Sequence, residues 1–119
     1  MSDIPSAFSR HLGLHAQALP LREQRLQLIA SNLANADTPG YKAVDLDFAA
    51  ALKQAREGGA AGANAPTVAR PSSQPSLDGN TVAADAEQAA YARAALEYRV
   101  SLSLLEGRIR SLLTAITGQ

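Results

Sequence analysis

The chain has 119 residues, and 11 Lys and Arg balance 11 Asp and Glu. A single domain is the default at this length, and balanced charge argues against nucleic acid or an anionic membrane as the main partner, because both attract clustered cations. The absence of Cys excludes disulfides, thiolate catalysis and Cys-ligated metals.

The N-terminal residues and the hydropathy of the chain predict neither a cleaved signal peptide nor a membrane-spanning helix. The first ten residues lack the basic start and apolar core of a cleaved signal peptide. No stretch approaches the roughly 18 apolar residues of a membrane-spanning helix. Alanine, with 25 copies, and leucine, with 16, are abundant. That composition favours helix.

Residues 1–36 predict one long helix, which starts at about Asp3 or Ser6. Leucines recur every seven residues and are joined by apolar residues at complementary offsets, which indicates a heptad seam. The predicted seam residues on this helix are Leu12, Leu19, Leu26, Ile29 and Leu33. A second apolar stripe, offset from the seam, contains Leu14, Leu21 and Leu28.

Pro20 interrupts this first helix. A proline inside a helix removes one hydrogen bond and costs about 3 kcal/mol unless the helix bends there. Either the helix bends near residues 16–20, or its firm part begins at Pro20, because proline suits the first helical turn. The leucine period continues across the break, which favours a bend.

Residues 37–84 predict a turn motif, a short helix and a flexible low-complexity segment. Pro39 and Gly40 suit the two central positions of a type II turn, so Gly40 is expected to have a positive φ. Asp47 is expected to cap a short helix, Phe48 to about Arg56. The Gly-, Ala-, Pro- and Ser-rich residues 57–76 are expected to be mobile.

Residues 85–119 predict the second long helix, preceded by an Asp-Gly turn. Asp85 and Gln88 approach capping-box spacing, and Gly118 suits a helix end. Apolar residues alternate in steps of four and three. The predicted seam residues on this helix are Tyr91, Tyr98, Leu102, Leu105, Ile109, Leu112 and Ile116. An off-seam stripe contains Leu96, Val100 and Leu104.

These elements predict an all-α fold, with the long terminal helices paired as an elongated coiled-coil-like hairpin around a short irregular middle. A 33-residue helix is about 50 Å long, whereas a compact chain of this size is about 35 Å across. Helices that are apolar on two faces are buried on two faces. We therefore expect neighbouring subunits to cover the two off-seam stripes. The alternative is a monomeric antiparallel hairpin with an apolar surface.

No group of residues indicates an enzyme, a metal site or a cofactor. His11 and His15 are four residues apart, the spacing that begins some zinc sites, but the chain has no third His and no Cys. The helices also carry cations among apolar residues, namely Arg22, Arg25, Arg108 and Arg110. These arginines are either a solvated rim with local pairs, such as Glu106 with Arg110, or ion pairs between subunits.

Residues 30–42 read ASNLANADTPGYK. This string resembles the N-terminal signature of the bacterial flagellar rod, hook and hook-associated family, whose core is Asn-x-x-Asn-x-x-Thr-Pro-Gly-Tyr. The matching residues are Asn32, Asn35, Thr38, Pro39, Gly40 and Tyr41. Residues 74–82, QPSLDGNTV, lead directly into the last helix and resemble the proximal rod members of that family.

The resemblance implies a structural subunit of the proximal rod. Such a subunit assembles with other axial proteins into a helical tube that transmits torque and encloses the export channel. The implied partners are other rod subunits, the ring–rod adaptor, the MS ring and the export gate, with no nucleic acid, small-molecule substrate or membrane-spanning segment. The implied location is the periplasmic rod of the basal body, reached through type III export without signal cleavage.

Two alternatives remain at this point, a soluble helical adaptor or chaperone that binds a partner helix, and a different rod protein of the same family. Within the motif, we expect Asn32 and Asn35 to bond carbonyl groups at the helix end. Tyr41 is expected to pack back on the helix.

Overall fold

A computed structural model describes residues 3–58, 65–70 and 77–118, and the side chains of residues 3–9, 11 and 12 lie outside that description. The elements are α1 (Asp3–Ala34), β1 (Val44–Leu46), α2 (Phe48–Arg56), β2 (Thr67–Ala69) and α3 (Ala84–Thr117). The molecule measures 63 × 28 × 19 Å with a radius of gyration of 18.2 Å, against roughly 13–14 Å for a compact chain. The prediction of a mostly helical fold with long terminal helices is confirmed.

Helix α1 begins where expected and ends two residues early, at Ala34. The helix is continuous through Pro20, whose position is exposed. Proline has no N–H for the carbonyl of Ala16, four residues earlier, and Ala16 is also exposed, so that carbonyl lies in a region open to water. Asn35 follows in a turn and donates its backbone N–H to the Ser31 carbonyl at 3.1 Å.

The described part of the middle contains a helix and two strands, while residues 59–64 and 71–76 of the segment predicted to be mobile lie outside the described residues. Asp47 accepts a hydrogen bond from the Ala50 N–H at 3.2 Å, which confirms the cap of α2. The two strands were not expected. They pair antiparallel, with Val44 opposite Ala69, so residues 67–69 of the segment predicted to be mobile form a strand. A three-residue Thr-Val-Ala run is too short to be recognised among glycines and prolines, although its β-branched residues favour a strand.

Helix α3 begins at Ala84, and the preceding Ala83 offers no side-chain cap. The expected cap residue, Asp85, instead lies in the first turn, where a carboxylate is stabilised by the helix dipole. Gly118 ends the helix, as predicted. Its φ is 71°, and its N–H donates to the Thr114 carbonyl at 2.9 Å.

The core is small and lies beside α1. Leu21, Leu46 and Ala51 are buried together, and partly buried Leu28, Phe48, Leu52 and Ala65 pack against them. Helices α1 and α3 run in opposite directions where their side chains meet. Arg22 contacts Glu97, whereas Asn32, ten residues further along α1, contacts Glu87.

The buried face of α3 differs from its predicted seam. The buried residues of this helix are Glu87, Ala94 and Ser101, spaced by seven. Ser101 precedes the seam residue Leu102 by one position, so the buried face is offset from the seam by one residue. Seam residues Tyr98, Leu102 and Leu105 are half-buried, whereas Tyr91, Ile109, Leu112 and Ile116 are exposed.

Small and polar groups account for this shift. Ala18, Ala94 and Ser101 are all buried, and small side chains allow helices to approach closely. Glu87 is buried against polar partners that a seam of leucines would not provide. On α1, Ile29 is fully buried and Leu19, Leu26 and Leu33 are half-buried. The side chain of Leu12 lies outside the described residues.

Candidate functional site

The signature motif forms the junction between the end of α1 and the chain that leads to β1. Asn35 donates its side-chain N–H to the Ser31 carbonyl at 2.8 Å, as predicted. Thr38 donates its hydroxyl to Asn35 Oδ1 at 3.1 Å. Gly40 has a φ of +75°, which confirms the expected left-handed backbone. The Tyr41 hydroxyl lies 3.3 Å from Ser31 Oγ, so this ring does pack back on α1.

Asn32 is completely buried and has a different role from the one expected. Its Nδ2 donates to the Val44 carbonyl at 2.7 Å, and its Oδ1 accepts from the Val44 N–H at 3.2 Å. The side-chain amide thus pairs with β1 as a neighbouring strand would. The same Nδ2 also lies 3.2 Å from Glu87 Oε2, so Asn32 connects α1, β1 and α3.

Asn80, which sequence reasoning missed, closes the junction from the other side. Its Nδ2 donates to the carbonyls of Asn35, Ala36 and Thr38 at 2.9, 3.0 and 2.6 Å. These carbonyls lie in the turn just beyond the end of α1, where no further helical turn supplies N–H groups, and Asn80 binds them from a distant turn. The available sequence signal was its place in an Asp-Gly-Asn turn, where Asn commonly bonds nearby backbone.

Backbone contacts join this second turn to the motif. Gly40 donates its N–H to the Asp78 carbonyl at 2.8 Å, and Thr81 donates its N–H to the Tyr41 carbonyl at 2.9 Å. The approach is close, because a Cβ at Gly79 would lie 3.6 Å from Gly40 Cα. The two sequence strings that carry the resemblance are therefore one structural unit.

A chain of three arginines and three carboxylates runs beside this junction. The contacts are Arg22–Glu97 at 3.0 Å, Arg25–Asp45 at 3.1 Å, Arg25–Glu97 at 3.6 Å, Arg70–Asp45 at 3.3 Å and Arg70–Glu87 at 2.6 Å. Glu87 is fully buried. The hydrogen bond to Asp45 and the charges of Asp45 and Glu97 outweigh desolvation and raise the pKa of Arg25 above its usual value.

These ion pairs identify the partners of two of the four helix arginines whose role the sequence left open. Arg22 and Arg25 bind carboxylates of α3 and β1 within the same chain, which neither sequence interpretation anticipated. Arg108 and Arg110 are exposed and take part in none of the ion pairs found among the described residues.

An apolar groove opens between α1, α2 and α3, away from the junction. Its volume is about 370 Å³. Its apolar lining includes Leu14, Phe48, Leu52, Leu96, Val100 and Leu104. The last three are 62%, 50% and 49% exposed. Of the α1 residues predicted to meet a neighbouring subunit, Leu21 is completely buried in the core and Leu28 packs against it, so Leu21 is unavailable to a partner.

Comparison with known proteins gives matches along most of the chain. The family model described as "Flagella basal body rod protein" matches residues 12–42, which include most of α1 and the motif. The flagellar basal body rod protein FlgB of Cereibacter sphaeroides is 46% identical over 127 residues, covering 96% of this chain and 99% of that protein. The chain belongs to the flagellar basal body rod protein family.

Other members of the rod protein family are also similar along most of their length. FlgB of Escherichia coli K12 is 39% identical over 88% of this chain and 91% of its own. FlgB of Aeromonas hydrophila is 36% identical over 95% of this chain and 97% of its own. A rod protein of this family is a structural component of the bacterial flagellar basal body, and this chain is such a structural rod subunit.

The described residues contain no helix long and apolar enough to cross a membrane. Within the same residues, no group of three or more His, Asp, Glu or Cys side chains is placed to hold a metal ion. His15 borders the apolar groove, and the side chain of His11 lies outside the description.

Proposed function

We propose that the chain is a subunit of the proximal rod, where it assembles with other axial proteins into a helical tube that transmits torque and encloses the export channel. The observation that carries this proposal is the similarity to FlgB proteins, which extends over 96% and 88% of the chain in two of the relatives. The elongated molecule, with apolar side chains exposed along α3, supports a role in assembly.

In this proposal the junction sets the angle between the helices, and the exposed surfaces make the contacts between subunits. The stripe Leu96, Val100 and Leu104 faces a neighbour, together with Leu14 at the groove edge. Residues of the predicted seam that remain exposed, such as Ile109 and Ile116, are covered in the assembled rod. Complete coiled-coil-like pairing of α1 with α3 is also a feature of that state.

The partners we propose are other rod subunits, the ring–rod adaptor, the MS ring and the export gate. The chain reaches the periplasmic rod through the flagellar type III export machinery without signal cleavage. Torque then passes through packed helix contacts, which require no chemical step. The ion pairs that join α1, β1 and α3 support this mechanical role, because they resist sliding of one helix along the other.

The test is to locate the chain in intact basal bodies. A strain that lacks the gene and carries a tagged copy should regain motility, and an averaged map of its basal bodies should place the tag in the rod beside the MS ring. If the tagged protein restored motility but stayed in the cytoplasm as a monomer, absent from purified basal bodies, an adaptor or chaperone would be the correct function.

A further inference from the structure

We propose that the apolar end of α3 from one copy docks in the apolar groove of the next copy. The docking residues, called the anchor, are Ile109, Leu112, Leu113 and Ile116. The groove is the one between α1, α2 and α3 that is lined by Leu96, Val100 and Leu104. The inference rests on the proposed function in one respect, since a polymer subunit needs a contact that repeats.

The anchor has the spacing of a helix that binds in a groove. Its four residues occupy positions i, i+3, i+4 and i+7 of α3, the pattern by which amphipathic helices insert into apolar grooves. All four side chains are exposed in the single chain, from 37% at Leu112 to 72% at Ile116. Arg108 and Arg110 lie on either flank of the anchor, where they remain in water at the rim.

The groove matches the anchor in length and character. At 1.5 Å per residue, Leu96 to Leu104 spans about 12 Å and the anchor spans about 10 Å. The lining is mainly apolar, and its charged members Arg22 and Glu97 are paired with each other at 3.0 Å. A volume of about 370 Å³ falls within the usual range of sites that enclose a ligand.

The two surfaces cannot meet within one molecule. They lie on the same continuous helix, with their centres about 19 Å apart along its axis. With 3.6 residues per turn, they also face roughly opposite sides of α3. The contact therefore joins two copies and uses a different surface on each. A heterologous contact of this kind leaves one groove and one anchor free at the ends, and it propagates into an open helical polymer when the rotation between neighbouring copies does not close a ring.

Two variants that block opposite halves of the contact test this proposal. Leu96→Glu places a charge in the groove, and Leu113→Glu places one in the anchor. The controls are Ala89→Glu and Ser111→Glu, exposed positions of α3 outside both surfaces. Self-association of the full chain is measured by sedimentation velocity, and circular dichroism checks that each variant keeps its helix content.

We expect each blocking variant alone to weaken self-association by about tenfold or more, because it places an unpaired carboxylate in an apolar contact that docking removes from water. The controls should associate as the unmodified chain does. Mixing the two blocking variants should restore a complex of one copy of each, since one keeps its anchor and the other its groove. That complex should stop at a dimer.

Three results would overturn the docking contact. They are an unmodified chain that stays monomeric at every concentration, blocking variants that associate normally, and a mixture that gives no dimer. If a variant lost helix content, Leu104→Glu or Ile116→Glu replaces it in the same design. If the mixture gave no dimer but the protein was incorporated normally into the rod, the docking contact would be rejected and the rod function would stand. If the mixed dimer formed but the protein was absent from basal bodies, the contact would stand and the rod function would be rejected.

Discussion

Single polar residues fix the geometry of the junction. Asn32 pairs with the backbone of Val44, and Asn80 reaches three carbonyls beyond the end of α1. Both side chains are buried, at 0% and 7% exposure. Because a buried amide without partners is costly, each asparagine accepts only one arrangement of the surrounding backbone. The signature residues thus specify how α1, β1 and the second turn meet.

Asn80→Asp should destabilise the chain by about 1–3 kcal/mol, because the carboxylate offers no N–H to the three carbonyls that Asn80 now satisfies. The substitution keeps the oxygen that accepts the Val82 N–H, so the loss is specific to the donor. Urea unfolding followed by circular dichroism measures the free energy. Gln54→Glu, an exposed change of the same chemistry on α2, is the control. Equal stability of the two variants would contradict the role of Asn80.

Gly40→Val should cost about 1–3 kcal/mol, whereas Gly40→Asn should cost less. No atom lies within 4 Å of a Cβ built at this glycine, so the penalty arises from the positive φ of +75° alone. Asn tolerates that backbone better than a β-branched residue does. Thermal unfolding and swimming motility should rank the three proteins in the order Gly, Asn, Val. Normal stability and motility of the Val variant would show that the left-handed turn is not required.

Arg70→Met should destabilise the chain by about 3 kcal/mol, since it leaves the completely buried Glu87 carboxylate without its closest cation. The double variant Arg70→Met with Glu87→Met should recover much of this loss, because it removes the buried charge as well. Arg93→Met, an exposed arginine on α3, is the control. The free energy of unfolding is measured by denaturant for the unmodified chain, the two Arg70 variants and the control. If the double variant were no more stable than Arg70→Met, the loss of stability would not come from an unpaired buried charge.

At the scale of elements, α1 and α3 meet through small and charged residues more than through leucines. The buried face of α3 carries Glu87, Ala94 and Ser101. Arginines of α1 join it to the rest of the chain by ion pairs. The large apolar residues of α3 are half-buried or exposed. A helix that buries one face within the chain and leaves a second face apolar is typical of a helix with partners on more than one side.

Ala94→Leu should lower the free energy of unfolding by about 1–3 kcal/mol, because a large side chain at this buried position forces the helices apart. Ala92→Leu adds the same atoms at an exposed position of α3 and should have little effect. Thermal unfolding by circular dichroism compares the two. If both variants melted together, α1 and α3 would not be closely packed at Ala94 in solution.

On the scale of the whole molecule, a radius of gyration of 18.2 Å describes an elongated subunit with little interior. The core is one small cluster around Leu21, and the far end of α3 has exposed apolar side chains from Ile109 to Ile116. A long helix with few buried contacts is marginal in water. We therefore expect order at that end to depend on neighbours in the assembly.

Hydrogen exchange should reveal this dependence. Amides of residues 109–117 should exchange quickly in the free subunit and become at least about tenfold more protected in purified basal bodies, because exposed segments open locally and packing prevents it. Residues 87–101, which include the buried face of α3, serve as the internal reference and should be protected in both states. Equal protection of the two segments in the free subunit would mean that the lone chain is already rigid.

The sequence by itself determined the two long helices, the cap at Asp47, the left-handed Gly40 and Gly118, and membership of a rod family. Each of these depends on local chemistry, such as periodicity, capping or allowed φ, or on a contiguous string. Local signals reach only a few residues along the chain.

Tertiary structure alone decided which faces of the helices pack. Glu87 and Arg70 are 17 residues apart in the chain, and Asn80 is more than 40 residues from the carbonyls it binds. No periodicity encodes such contacts. The buried face of α3 lies one residue away from the leucine seam that the sequence predicts. Its position depends on the pairing of buried polar groups and on the close approach of small side chains, and both require two elements in contact.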